Sequence, residues 1–165
     1  MQFIPWQFIS DWRCQACGRC CKAYNVVVSF PEWLNIVKNF GIERTFSTLN
    51  RLFLKKEVDG SCTFLYRFLN TNFCSIQHSK PKACKLWPFK ILKDPRYGYA
   101  NQAFYQYGRD RLYVYADSNC YGLAYGVPGE NFKKGTLKEF IEIALGNRRN
   151  QHETTGKFRI PPTIR

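Results

Sequence analysis

The sequence predicts an α+β fold: a small antiparallel sheet with two main helices and loops tied together by metal. Three observations carry this expectation. Two stretches place a Ser or Thr three residues before a Glu at the head of an apolar helical stripe. Short runs of β-branched and aromatic residues alternate with Asp-Gly, Asp-Pro and Gly-Arg-Asp turn signals. Eight cysteines fall in stretches too irregular for a fold held by apolar packing alone.

The elements follow in order. Residues 22–30 are rich in strand-forming types and predict a strand. Ser29 and Glu32 then have capping-box spacing, and Pro31 suits a first helical turn. Trp33, Leu34, Ile36, Val37 and Phe40 make the apolar face of that helix, which Gly41 ends. A short helical turn is expected around residues 42–50. Residues 51–57 and 62–67 flank Asp59-Gly60 and predict a hairpin carrying Cys62. Residues 70–88 read as irregular, with Pro81 opening a short helix before Cys84. Strands are expected at 89–93, 102–107 and 112–117, turning at Asp94-Pro95-Arg96 and Gly108-Arg109-Asp110. Thr136 and Glu139 form the second capping box, and Leu137, Phe140, Ile141, Ala144 and Leu145 the stripe, with Gly146 as its stop. Residues 1–146 thus read as one cysteine-cluster metal-binding domain, and 147–165 as a basic extended arm.

The cysteines carry most of the chemistry. Cys14, Cys17, Cys20 and Cys21 read C-Q-A-C-G-R-C-C. Adjacent Cα atoms lie ~3.8 Å apart, short of the roughly 4.4–6.8 Å an unstrained disulfide spans. Cys20 and Cys21 are therefore poor disulfide partners, and four such close thiols suit metal ligation. Thiolate is soft and selects zinc or iron–sulfur over hard cations. C-x2-C-x2-C with a distant fourth cysteine is a [4Fe–4S] ligand pattern, whereas zinc sites more often use paired C-x2-C knuckles. The candidate ligands are Cys14, Cys17, Cys20, Cys21, Cys62, Cys74, Cys84 and Cys120. They would hold one or two [4Fe–4S] clusters, or zinc as the alternative. His78, four residues after Cys74, is a lesser ligand candidate beside a solvent-facing role.

These elements resemble the YkgJ-type cysteine-cluster family, a zinc- or iron-chelating domain with a C-x2-C-x2-C-C signature. The matching segments are Cys14 to Cys21, Gly60-Ser-Cys62-Thr-Phe64-Leu65, Cys74-Ser-Ile76 and Pro81-Lys-Ala-Cys84-Lys-Leu-Trp87-Pro88-Phe89, with Cys120 in the last position. The resemblance covers about residues 12–122, and Lys80 stands where the family more usually has Arg. It implies a metal or iron–sulfur site without a single activity. One similar protein, a flagellin lysine methylase, is associated with a [4Fe–4S] cluster, so a lysine methylase-like component is an alternative role.

Composition narrows the function classes. No apolar run approaches the ~20 residues of a membrane span, and Met1 to Asp11 lacks a secretory pattern. The expected location is the cytoplasm, where thiols stay reduced. No G-x-G-x-x-G, phosphate loop or G-x-S-x-G is present, and the two histidines are His78 and His152. The reading leans away from an enzyme, with an iron–sulfur electron carrier as the rival.

The formal charge is +13, which suits a polyanion: RNA or a ribonucleoprotein such as the ribosome, or an acidic protein partner. Tyr105, Tyr107, Tyr113 and Tyr115 are expected to form one aromatic patch with Arg109 and Arg111 at its rim, on which bases stack; the alternative is core packing. Arg148, Arg149, Lys157, Arg159 and Arg165 would track a phosphate backbone. Lysines 80, 82, 85, 90 and 93 surround Cys84 in sequence and would offset cluster charge.

Overall fold

The computed structural model describes residues 2–155. The fold is α+β, built from small antiparallel sheets and two longer helices. Within the described residues the chain divides into two compact units, one of residues 2–15 and 85–155, the other of residues 16–84.

The chain enters the first unit with β1 (Phe3–Pro5) and β2 (Ile9–Trp12). It then builds the second unit from α1 (Arg19–Ala23), β3 (Val27–Val28), α2 (Phe30–Phe40), β4 (Thr45–Ser47), β5 (Leu52–Leu54), β6 (Leu65–Phe68) and β7 (Thr71–Cys74). The short helix α3 (Lys82–Leu86) runs across the division. The first unit is completed by β8 (Phe89–Leu92), α4 (Ala100–Ala103), β9 (Phe104–Tyr107), β10 (Asp110–Asp117), β11 (Leu123–Tyr125) and α5 (Lys138–Leu145).

In the first unit β10 is central, with β8 along one edge and β9 and β1 along the other, all antiparallel. Strand alternation sends Leu112, Val114 and Ala116 to one face, where all three are buried. They pack with Trp6, Ile9, Trp12, Phe89, Phe132, Leu137, Phe140 and Ile141. The expected strands at 89–93, 102–107 and 112–117 are present as β8, β9 and β10, the first two shorter than expected and β10 starting two residues earlier, at Asp110.

The second capping box does not form. Thr136 sits inside a π-helical turn, Phe132–Leu137, that runs straight into α5, so its backbone is already helical and cannot cap. Glu139 is 1% exposed and serves another purpose. Its carboxylate accepts hydrogen bonds from the backbone N–H groups of His152, Glu153 and Thr154 and from the Thr154 hydroxyl. Arg148 bridges Glu139 and Glu142. Residues 147–155 therefore return to α5, and Thr154 and Thr155 are buried. The remaining ten residues of the expected basic arm lie outside the described residues.

In the second unit the first capping box is realised: the Glu32 carboxylate accepts from the Ser29 N–H and hydroxyl, both at 2.8 Å. It also accepts from the Lys82 N–H at 2.6 Å, which ties α2 to the start of α3. Gly41 ends α2 at φ +91°, a conformation that favours glycine. The hairpin expected around Asp59-Gly60 is present but short: the Glu57 N–H donates to Ser61 O and the Thr63 N–H to Lys55 O around the Lys56–Cys62 bridge. The strands choose other partners: β5 lies between β3 and β4, and β6 pairs with β7. Val28, Ile36, Leu54, Cys62, Phe64 and Ile76 form this unit's core.

Candidate metal centre

Five of the eight cysteines gather in the second unit around α1, β7 and α3. Gly18 opens α1 at φ +71°, and a Cβ there would stand 3.0 Å from the Asn72 side chain, so the loop lies tight against β7. The Asn72 N–H donates to Ala16 O at 2.9 Å and fixes that approach. Cys20 and Cys21 follow on α1. The Cys62 N–H donates to Cys21 O at 2.8 Å, which brings the two residues together across 41 positions of sequence. Cys74 ends β7 opposite Leu65, and Cys84 lies in α3.

These thiols influence one another electrostatically. The Cys20 and Cys21 sulfurs are 3.8 Å apart. That contact, opposed by burial and aided by the Lys80 charge, lowers the Cys20 thiol to about 7. The same contact, with burial and the charges of Cys20, Cys74 and Cys62, pushes Cys21 well up. Burial raises Cys62, raises Cys74 to about 11 and raises Cys84 strongly, each with contributions from the other thiols. Burial is the main reason these thiols are raised, and the charges of neighbouring thiols add to it.

Among the described residues no three His, Cys, Asp or Glu side chains stand in ready-made coordination geometry. The fit therefore rests on donor chemistry: five thiols, one of them poised to ionise at neutral pH, suit a soft cation. All eight cysteines are free thiols. The helical turn of α1 brings the vicinal Cys20 and Cys21 sulfurs to within 3.8 Å of each other.

The remaining three cysteines are Cys14, Cys17 and Cys120. Cys17 is exposed in the second unit. Cys14 and Cys120 pack on the core of the first, where the Trp12 indole N–H donates to Cys120 Sγ at 3.3 Å. The Cys14, Cys17, Cys20 spacing is thus divided between units. His78 is exposed on a short 3-10 turn.

The four tyrosines do not form one patch. Tyr105 pairs with Leu112 and Tyr113 with Phe104, so Tyr105 and Tyr107 share the face of the buried Leu112 while Tyr113 and Tyr115 lie on the opposite face. Tyr105 meets Trp6 edge-on, and Tyr107 donates to Glu142. Tyr115 is fully buried, with its hydroxyl on Gly98 O. Arg109 and Arg111 are exposed, Arg111 standing over the Phe104 ring. Arg149 is exposed and Arg148 is engaged with the α5 carboxylates. Lys157 and Arg159 lie outside the described residues.

Sequence reading missed Glu139 as an anchor, because its spacing from Thr136 imitates a cap. It did single out Lys80, whose charge does act on the thiols.

A family model described as "CxxCxxCC: Putative zinc- or iron-chelating domain" matches residues 13–120. No curated protein and no solved structure matches the chain.

Proposed function

The chain belongs to the CxxCxxCC family of zinc- or iron-chelating domains, and from that premise we propose that it is a metal-stapled basic binding module. Its second unit holds a single tetrahedral ion on four of the thiols of Cys20, Cys21, Cys62, Cys74 and Cys84. The observation that carries this is the 3.8 Å between the Cys20 and Cys21 sulfurs. A tetrahedral ion with metal–sulfur bonds of about 2.3 Å has sulfur–sulfur edges of about 3.8 Å. In a [4Fe–4S] cluster each thiolate binds a separate iron, which sets ligand sulfurs further apart. The metal would supply the positive charge that lets the raised thiols ionise, and would lock α1, β7 and α3 together.

A second reading, an iron–sulfur cluster, is supported by the C-x2-C-x2-C spacing of Cys14, Cys17 and Cys20. Anaerobic purification with zinc, iron and acid-labile sulfide analysis separates the two. One zinc or iron per chain without sulfide is the expected result. Stoichiometric sulfide with broad visible absorbance overturns it in favour of the cluster, and reversible reduction of that cluster would point to an electron carrier or a methylase-like component.

The binding half of the reading is supported by charge. A net +13 suits RNA or a ribonucleoprotein such as the ribosome, and a reduced thiolate centre suits the cytoplasm. Retention on RNA at low salt that collapses as salt rises is the expected behaviour. A holo-protein that ignores RNA at low salt refutes it.

A further inference from the structure

The sheet β3-β5-β4 has one covered face and one open face. Val28, Leu54 and Thr45 are buried on the covered side. The register pairs Val27 with Phe53 and Phe53 with Phe46, so these three side chains form a row across the open side. Val27 is 42% exposed and Phe46 40% exposed. The Phe46 and Phe53 rings lie parallel, with centroids 4.8 Å apart and planes 8° apart. Arg51 and Lys55 flank β5 immediately before and after it, two residues either side of Phe53, and both are exposed. From Arg44 to Lys56 the chain has no acidic residue.

We propose that the Val27–Phe53–Phe46 row is a stacking platform for single-stranded nucleic acid, with Arg51 and Lys55 holding the phosphates. It rests on the polyanion reading above and moves it from the tyrosines to this face. Charge complementarity selects the occupant. A protein-binding face of this kind gathers its apolar residues in a core depleted of charge. Here an exposed cation flanks β5 at each end, and among the described residues neither makes an ion pair, which is the pattern that stacks bases and neutralises a backbone. Stacking needs only the flat ring, so the platform accepts any base sequence.

The test uses the full-length, metal-loaded protein and a fluorescein-labelled oligouridylate, followed by fluorescence anisotropy across a salt series. Saturable binding at low salt is expected. Phe46→Ala weakens it about ten-fold, while Phe46→Tyr, which keeps the ring, binds as the parent does. Arg51→Gln lowers the slope of log affinity against log salt by about one, and Lys134→Gln in the first unit, the same charge change elsewhere, leaves affinity unchanged. Metal content and circular dichroism of each variant verify that the fold is kept. If the parent binds and Phe46→Ala binds equally well, the platform is wrong and the polyanion reading survives. If the parent does not bind oligouridylate at all, both fall. If polyglutamate displaces the oligonucleotide as well as unlabelled oligouridylate does, the face reads charge alone and the stacking role is overturned.

Discussion

At the scale of single residues, the molecule turns on which thiols are buried together. Cys62 is 8% exposed and hydrogen-bonded through its backbone to Cys21, whereas Cys17 is exposed. The proposed centre rests on the Cys20–Cys21 edge, so Cys21→Ser lowers metal affinity by at least about ten-fold, and Cys17→Ser leaves it near the parent value; competition with a chromophoric chelator measures both. Most of the clustered thiols are raised, Cys74 to about 11, so they are protonated at neutral pH and must lose protons to bind a metal. Affinity therefore falls as pH is lowered, and metal binding in weak buffer releases protons. Calorimetry in buffers of different ionisation heat counts them, and a pH-independent affinity contradicts thiol ligation.

Glu139 shows the opposite linkage. Burial pushes its carboxyl up, but the Thr154 hydroxyl and the N–H groups of residues 152–154 outweigh that and hold it below its ordinary 4.5. A lowered carboxylate contributes stability that is present above the ordinary value and lost as pH falls through the lowered one. Glu139→Gln puts an amide NH2 against three N–H donors and costs about 2–4 kcal/mol at neutral pH. The difference between the two proteins starts to shrink as pH falls below about 4.5 and is lost only once pH passes below the lowered value of the folded state. Urea unfolding at neutral and acid pH is the measurement.

At the scale of elements, α1 and α3 are short and gain little from intrinsic helix stability. Each is held by a contact from outside: Gly18 against Asn72 at the start of α1, and Glu32 to the Lys82 N–H at the start of α3. Glu32→Ala removes both the α2 cap and this link. It is expected to cost about 1–2 kcal/mol and to speed chelator extraction of the metal. Thermal melts and extraction kinetics report the two effects separately. Gly18→Ala strains the backbone and presses on Asn72, so lower metal occupancy is expected at purification.

At the scale of the whole molecule the two units differ in what holds them. The first has a core of large buried side chains, Phe132, Phe140, Trp12 and Phe89 among them, while the second core is smaller and includes Cys62 itself. Small cores lean on crosslinks. Stripping the metal under reducing conditions is expected to open residues 16–84 to proteolysis and amide exchange while the β10 sheet stays protected. Uniform loss of protection along the chain would contradict that. Among the described residues no helix is long and apolar enough to cross a membrane.

Local signals were legible wherever they carried their own physics. Ser29 with Glu32 marked the start of α2, Gly41 and Gly146 marked helix ends, and strand composition placed β8, β9 and β10. The Asp59-Gly60 turn was legible and closes a short antiparallel ladder carrying Cys62, but the longer pairing of β5 goes to β3 and β4, which the turn signal could not show. Thr136 misled because a capping box needs a helix that begins there, and a π-helical turn already ran through it.

By itself the sequence determined the donor chemistry, a set of eight soft thiols with a vicinal pair, and the positive charge of the surface. The tertiary structure alone decided that Cys20, Cys21, Cys62, Cys74 and Cys84 come together within the second unit while Cys14 and Cys120 pack on the core of the first, that the tyrosines split across a sheet, and that Phe46 stacks on Phe53 with Phe46 exposed. The reason is physical: spacing fixes which side chains alternate along one element, but which faces meet depends on strand register and on hydrogen bonds between distant residues, such as Cys62 to Cys21.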